Sequence, residues 1–457
     1  MQRKLNQAMQ NYFDEDVSRG FHWFRNFMSD EEWNKRRARV EEHIEHAIMS
    51  GHGLSSLPEE EFLRVNFDRD KIVWYLYLMD TCLHDANSYE PVAGARVIAI
   101  FKRIGEHLEE LKAITDVNKK VRRLIKNDPS EADAVLFELL TALLWARNGY
   151  QVSFLPELKS EKQPDLKAVK DGKEFFIECK RLSKASVYAD KEKEKWLKMS
   201  RHVVHLLAAM DLVLEVIFHE ELSELKETFL LDVLKNKLKK KPKPGLLLTN
   251  SKVTVRVSGV NYNQIHAHLL NFSVRNPSPQ PAELVGGRRD DSFGFTHGVA
   301  ADHFRLGSGL GNNVFIDRIR KAYGIYWKCT APASVEKKAR DIFAHLKAAL
   351  QQLPTVPNSV IHIGIETYDG PEVEQERFKK INSTMNRFDI KGQNLTWVYC
   401  HFFQSYAPPD QMYVFDESSF RFHNVALNVP EPLEITSMIV PWENTEENNL
   451  HWLKPQP

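Results

Sequence analysis

The chain has 457 residues with 62 basic and 62 acidic side chains, so its zero net charge excludes a protein coated in positive charge but not a local basic surface. An apolar share of 42% is ordinary for a soluble globular protein, with material for roughly two to four domains. Cys82, Cys179, Cys329 and Cys400 form no CxxC pair, and no stretch reaches the ~20 apolar residues of a membrane span, so the chain reads as cytoplasmic, without a disulfide scaffold or a membrane anchor.

Residues 1–125 read as an all-helical N-terminal domain. Ser29 or Asp30 caps a helix from Trp33 to His46, Pro58 opens another, and Arg96 to Ile114 repeats apolar residues at helical period. The basic cluster Lys35, Arg36, Arg37 and Arg39 reads as a solvated helix face. Asp128 or Ser130, with Pro129, starts a helix that runs to Asn148 and stops at Gly149. An extended stretch, Tyr150–Leu155, and a polar loop, Glu157–Gln163, precede two strands, Leu166–Val169 and Phe175–Cys179. A charged helix over Asp190–Met210 and an apolar strand, Leu212–Phe218, complete an α-β-β-β-α-β order: a mixed sheet flanked by helices, of α/β (α+β) class.

Further on, Glu221–Leu238 and Val335–Leu353 read as helices, and Glu372–Phe388 as a helix opened by Pro371. Gly245–Val257, Ile325–Thr330, Ser359–Glu366 and Leu395–Phe403 read as strands. Prolines and glycines between Asn271 and Asn313 predict a loop-rich insertion. The expected divisions are 1–125, a core at 126–260, an insertion at 261–320, an α/β extension at 321–430 and a surface tail at 431–457.

The chemistry gathers on the hairpin Pro164–Lys180. Asp171-Gly172 between two β-rich runs signals a two-residue turn. Counting outward, Lys170 faces Lys173, Leu166 faces Ile177, and Asp165 faces Glu178 in a non-hydrogen-bonded pair with a Cα separation of ~4.5 Å. Lys180 lies two residues beyond Glu178 and shares its face, while Leu166, Ala168, Phe175, Ile177 and Cys179 make an apolar reverse face. Two opposed carboxylates repel unless a cation stands between them, and oxygen donors of this kind suit Mg²⁺.

Pro164-Asp165 followed by Glu178-Cys179-Lys180 resembles the PD-(D/E)xK signature of the restriction-endonuclease-like superfamily, and Glu138 on the preceding helix, with Glu131 two turns earlier as the alternative, resembles that family's upstream acid. The resemblance covers about residues 128–220, and it implies a restriction-endonuclease-like sheet core and a metal-dependent nuclease. Asp165 and Glu178 would ligate Mg²⁺ (or Mn²⁺) together with the main-chain carbonyl of Cys179, Glu138 would assist, and Lys180 would act on the attacking water. Some members add a glutamine shortly after the lysine; the helix that follows here supplies none. The resemblance further implies DNA as substrate, a place in prokaryotic antiviral or genome defence, and pairing with a second copy or a defence partner. The alternative is a catalytically inactive module that binds nucleic acid or a protein. Lys239, Lys240 and Lys241, and Arg288 and Arg289 beside aromatics, are the expected nucleic-acid contacts. The glycine run at Gly307, Gly309 and Gly311 lacks a Walker lysine, and His266 and His268 lack zinc-type partners.

Overall fold

The computed structural model describes residues 12–51, 67–126, 129–156, 163–182, 186–286, 292–307, 310–353, 358–387, 395–408, 411–424, 427, 429–441 and 450–453. The fold is mixed α/β, with a helical N-terminal region and two mixed sheets.

Helices α1 (Glu15–Arg25), α2 (Asp30–Gly51), α3 (Lys71–His84), α4 (Pro91–Glu106), α5 (Leu108–Lys112) and α6 (Val117–Lys126) build the helical region. Asp14 caps α1 by accepting from the N–H groups of Asp16 and Val17. In α3 every residue from Ile72 to Met79 is buried, so this helix runs through the middle of the layer. α1 and α4 approach closely at two glycines: a Cβ on Gly105 would lie 1.7 Å from the Asp16 carbonyl oxygen, and one on Gly20 would lie 2.4 Å from that of Phe101. Half of the basic cluster on α2 is neutralised: Lys35 and Arg39 are exposed, whereas Arg36 and Arg37 meet acids. Arg36 donates to Asp70 at 2.7 Å and Glu32 at 3.0 Å, and Arg37 to Glu41 at 2.9 Å and to Asp80.

Helix α7 (Ala132–Arg147) covers one face of the first sheet. In chain order the strands are β1 (Gln151–Phe154), β2 (Leu166–Lys170), β3 (Lys173–Leu182), β4 (Leu212–Phe218), β5 (Gly245–Thr249), β6 (Val253–Gly259), β7 (Gly294–Arg305), β8 (Val314–Cys329), β9 (Ser359–Glu366), β10 (Leu395–Tyr406) and β11 (Val414–His423). The later helices are α8 (Val187–Arg201), α9 (Val204–Met210), α10 (Phe229–Leu234), α11 (Tyr262–Asn271), α12 (Gln280–Gly286), α13 (Pro332–Lys338), α14 (Phe343–Leu350) and α15 (Pro371–Arg387). The first sheet runs β1-β2-β3-β9-β10-β11, with β3, β9 and β10 parallel; the second runs β5-β6-β4-β8-β7.

This topology corrects the expected core. Leu212–Phe218 is not the fourth strand beside the hairpin but the middle of the second sheet, between β6 and β8. β9 takes the place beside β3. A short apolar run reads the same in either sheet, because periodicity reports burial and not the partner. The expected boundaries at 260 and 320 therefore cut the second sheet, and the supposed loop-rich insertion holds α11, α12, β7 and the start of β8. The helix expected over Glu221–Leu238 reduces to a 3-10 turn at Leu222–Glu224 and α10, and that over Val335–Leu353 to α13 and α14.

The tail is not mere surface padding either. Leu433, Met438 and Ile439 are buried. Glu417 of β11 accepts from the N–H groups of Met438, Ile439 and Val440 at 2.6, 2.9 and 2.8 Å. Asn148 accepts those of Glu434 and Ile435 at 2.8 and 3.0 Å.

Under α7 a buried polar chain crosses the sheet. The Trp145 indole N–H donates to His362 Nε2 at 3.0 Å. An indole only donates, so His362 carries its proton on Nδ1 and gives it to His401 Nε2 at 3.0 Å; His401 Nδ1 in turn donates to Ser419 Oγ at 3.0 Å. Burial pushes both imidazoles down, His401 to about 3, so both stay neutral.

The second sheet is latched to the helical region by Arg275, which is fully buried. Its guanidinium donates to the carbonyls of Ala86 at 2.7 Å and of Asn312, just ahead of β8, at 3.1 Å, and it lies 4.9 Å over the Phe315 ring. Arg275→Met keeps the bulk but leaves those carbonyls without their donor, so urea unfolding at neutral pH should show a loss of about 3 kcal/mol. A loss under about 1 kcal/mol would mean that the latch contributes little.

Candidate active site

The hairpin has the register that its turn demands. Asp171 and Gly172 have φ of 50° and 75°, the left-handed pair of a two-residue turn. The ladder pairs Lys170 with Lys173, Val169 with Glu174, Ala168 with Phe175, Lys167 with Phe176 and Leu166 with Ile177. It stops there, one step short of Asp165 and Glu178. Asp165 leaves the strand and its Oδ2 accepts the main-chain N–H of Cys179 at 2.8 Å. In an extended strand a residue's N–H and C=O share one edge, so the Cys179 carbonyl also faces the gap beyond the end of β2.

Phe175, Ile177 and Cys179 join α7 in one core, as their alternation requires. The other face is not open, as the hairpin alone suggested. Leu182 and the β9 residues Ile361, Ile363 and Ile365 form a second core with Ile342, Leu346 and Ala349 around α14 and Ile381 of α15. Glu178 pairs in register with Ile361 and Lys180 with Ile363, so both side chains lie under this layer. Glu178 is 0% exposed, while Asp165 is half-buried and Lys180 keeps 22% of its side chain in contact with solvent.

Lys180 Nζ donates to Glu178 Oε1 and, at 2.6 Å, to Gln352 Oε1 just past the end of α14. Gln352 is the residue that sequence reasoning missed. The resemblance points to a glutamine in the helix that follows the lysine, but the glutamine that meets Lys180 stands 172 positions away, beyond the second sheet. Glu138, on α7, forms an ion pair with Lys120 of α6 and stands near enough to act on both Glu178 and Cys179.

The electrostatics follow from this crowding. Burial, then the charge of Asp165, and further Glu138, push the Glu178 carboxyl up to about 8 against the pull of Lys180. Its Oε2 is buried and has no hydrogen-bond partner among the described residues. Among the described residues no three His, Cys, Asp or Glu side chains form a ready-made metal cage. A hard divalent cation nevertheless suits the donors present, because Mg²⁺ needs only one or two carboxylates beside water and phosphate. The orphaned Glu178 oxygen, Asp165 and the Cys179 carbonyl supply such oxygens.

Glu138, Asp165, Glu178, Cys179 and Lys180 are thus brought together. Lys239, Lys240 and Lys241 are exposed, on the unit built around the second sheet, and Arg288 and Arg289 lie outside the described residues. No helix among the described residues is long and apolar enough to cross a membrane. No protein-family model, curated protein or solved structure matches the chain.

The raised Glu178 carboxyl has a signed consequence. Between about 4.5 and about 8 the folded protein holds a proton that the unfolded chain releases. Without divalent cation, stability should therefore fall as pH rises through that window. Asp165→Asn removes the largest neighbouring charge and should flatten the fall. Thermal melts across pH for both proteins check this; a wild-type stability that does not fall through that window would show that Glu178 titrates normally, and identical falls in the two proteins would show that burial alone, not Asp165, raises it.

Proposed function

We propose that the chain is a metal-dependent phosphodiesterase that cleaves nucleic acid, with Mg²⁺ or Mn²⁺ held by Asp165, Glu178 and the Cys179 carbonyl. One observation carries this reading. The hairpin sets Asp165 against Cys179 and Glu178, with a buried carboxylate oxygen that has no hydrogen-bond partner among the described residues and Lys180 beside it. DNA as the substrate, and a role in genome defence, rest on the resemblance of the motif to PD-(D/E)xK nucleases.

When bound, the cation supplies positive charge that polarises the phosphodiester and makes a neighbouring water more acidic. Asp165 and Glu178 hold it in place, and Glu138 adds negative charge behind them. Lys180 is oriented by Gln352 and can place the attacking water or offset charge developing on phosphorus. Glu178 is buried beneath the α14 layer, whereas Asp165 and Lys180 keep contact with solvent.

A second reading has one observation in its favour: Glu178, Asp165 and Glu138 each have a donor, in Lys180, the Cys179 N–H and Lys120. A module so arranged would bind nucleic acid or a protein without cutting.

Purified protein incubated with supercoiled plasmid, linear duplex, single-stranded DNA and RNA, in Mg²⁺, Mn²⁺ or EDTA, separates the two. Cleavage in metal alone is expected. Asp165→Ala and Lys180→Ala should each lower its rate by about 10³-fold, and Gln352→Ala by about 10–100-fold, because it removes only the residue that orients Lys180. Folded wild-type protein that cuts none of these substrates would overturn the nuclease reading.

A further inference from the structure

The candidate site holds its charges in pairs, but another part of the chain does not. From Val233 to Ala282 there is not one Asp or Glu, while seven lysines and two arginines occur. In a chain of zero net charge this is a strong local excess. Some of it is neutralised or hidden: Lys235 donates to Asp232 at 3.0 Å, Lys252 to Glu220 at 2.9 Å, and Arg275 is buried. Arg256 stands opposite Glu215 in the β4–β6 register. What remains is one compact group, Lys237, Lys239, Lys240, Lys241 and Lys243. All five are exposed and none has an ion pair or hydrogen bond among the described residues. By contrast Lys71, Lys102 and Lys120 of the helical region each meet a carboxylate.

The group is mounted rather than loose. It follows α10, whose Leu230 and Leu234 are buried, and Leu238 anchors its middle in the core of the second sheet at 2% exposure. Pro242 and Pro244 fix φ around Lys243 and lead the chain extended into the edge strand β5. The unit that carries it is inserted between β3 and β9, neighbouring strands of the sheet that bears the candidate site.

The chemistry of the patch names its ligand. Between Leu230 and Asn261 there is no Phe, Tyr or Trp, so the surface has no aromatic platform on which unpaired bases would stack. Lysine is a point charge that meets phosphate without reading a base edge. Charge without stacking favours the polymer with the highest charge density, which is a double helix. We propose that the loop Lys237–Lys243 is a sequence-independent clamp for the phosphate backbone of double-stranded nucleic acid. It deepens the nuclease reading, on which it rests for its purpose, by assigning the second sheet the task of holding the substrate.

The test is fluorescence anisotropy with full-length protein, a labelled 30-base-pair duplex of arbitrary sequence and the corresponding single strand, in EDTA so that nothing is cut. Potassium chloride is varied from 50 to 200 mM. Lys239→Gln/Lys240→Gln/Lys241→Gln is compared with wild type and with Lys35→Gln/Arg39→Gln, a change at exposed cations of α2. The wild type should bind duplex more tightly than single strand. The triple variant should raise Kd at least about tenfold at 100 mM salt and lower the slope of log K against log salt by about 2–3. The α2 variant should change Kd less than about twofold. The three lysines are exposed, so circular dichroism and melting should be unchanged.

An unchanged Kd and slope in the triple variant would overturn the clamp, as would tighter binding of single strand, or wild-type binding to anionic phosphatidylserine vesicles but not to duplex. Aggregation of the variant with duplex binding intact would also overturn it, and would make the lysines guards of the exposed β5 edge. The two readings fail separately. Cleavage that persists beside unchanged duplex binding by the variant removes the clamp alone, whereas lysine-dependent duplex binding without any cleavage removes the nuclease alone.

Discussion

The parallel pairing of β3 with β9 is the constraint on which the rest of the structure depends. Parallel neighbours cannot be joined by a tight turn and need a crossover. Here the crossover runs from Leu182 to Ser359 and contains the whole second sheet before it returns through α13 and α14. The pairing also makes β3 an interior strand with a helical layer on each face, so Glu178 and Lys180 lie beneath α14. A hairpin at a sheet edge would present the same residues to solvent, where opposed acids cost little. In the interior their charges cannot be screened by water, and each must find a donor or a cation.

The face of β3 toward α7 is equally committed. Arg181 follows Lys180 and points to the other side, where its guanidinium lies 5.8 Å over Phe137 and 5.1 Å over Phe403 and donates to Glu366 at 2.7 Å. Glu366 is shared with Arg96 of α4 at 2.7 Å, and Arg96 reaches Asp133 at 2.6 Å, which also accepts from Tyr75 and Lys71. Phe137 and Arg181 are the chain neighbours of Glu138 and Lys180. One buried ion-pair network thus ties α3, α4 and α7 to the strand that carries the site. Gly364 makes room for it, since a Cβ there would lie 2.7 Å from the Phe137 ring and 2.9 Å from Arg181 Nη1. The helical N-terminal region is therefore a support of the candidate site rather than an appendage.

How much was legible beforehand can be judged from particular residues. The register of β2 and β3 was readable to the residue, because an Asp-Gly turn and a period of two are local properties. The helix before it, the apolar reverse face and the helical N-terminal region were readable for the same reason. The lysines of the second sheet were visible as a charge run, but not that they stand unpaired while Arg36 and Arg37 of α2 are neutralised by Asp70 and Asp80.

What the sequence by itself determined is the hairpin and its chemistry: Asp165, Glu178 and Lys180 at one end of two paired strands, with an apolar surface behind them. Only the tertiary structure decided which strand stands beside β3, that the acid face is covered, that Gln352 meets Lys180 across 172 positions, and that the tail is drawn under Glu417. The physical reason is the range of the forces that select each feature. Alternation and turn chemistry act between residues a few bonds apart and leave their pattern in the sequence. The choice between two apolar strands for one place in a sheet is made by the packing of the whole insertion, and no single residue records it.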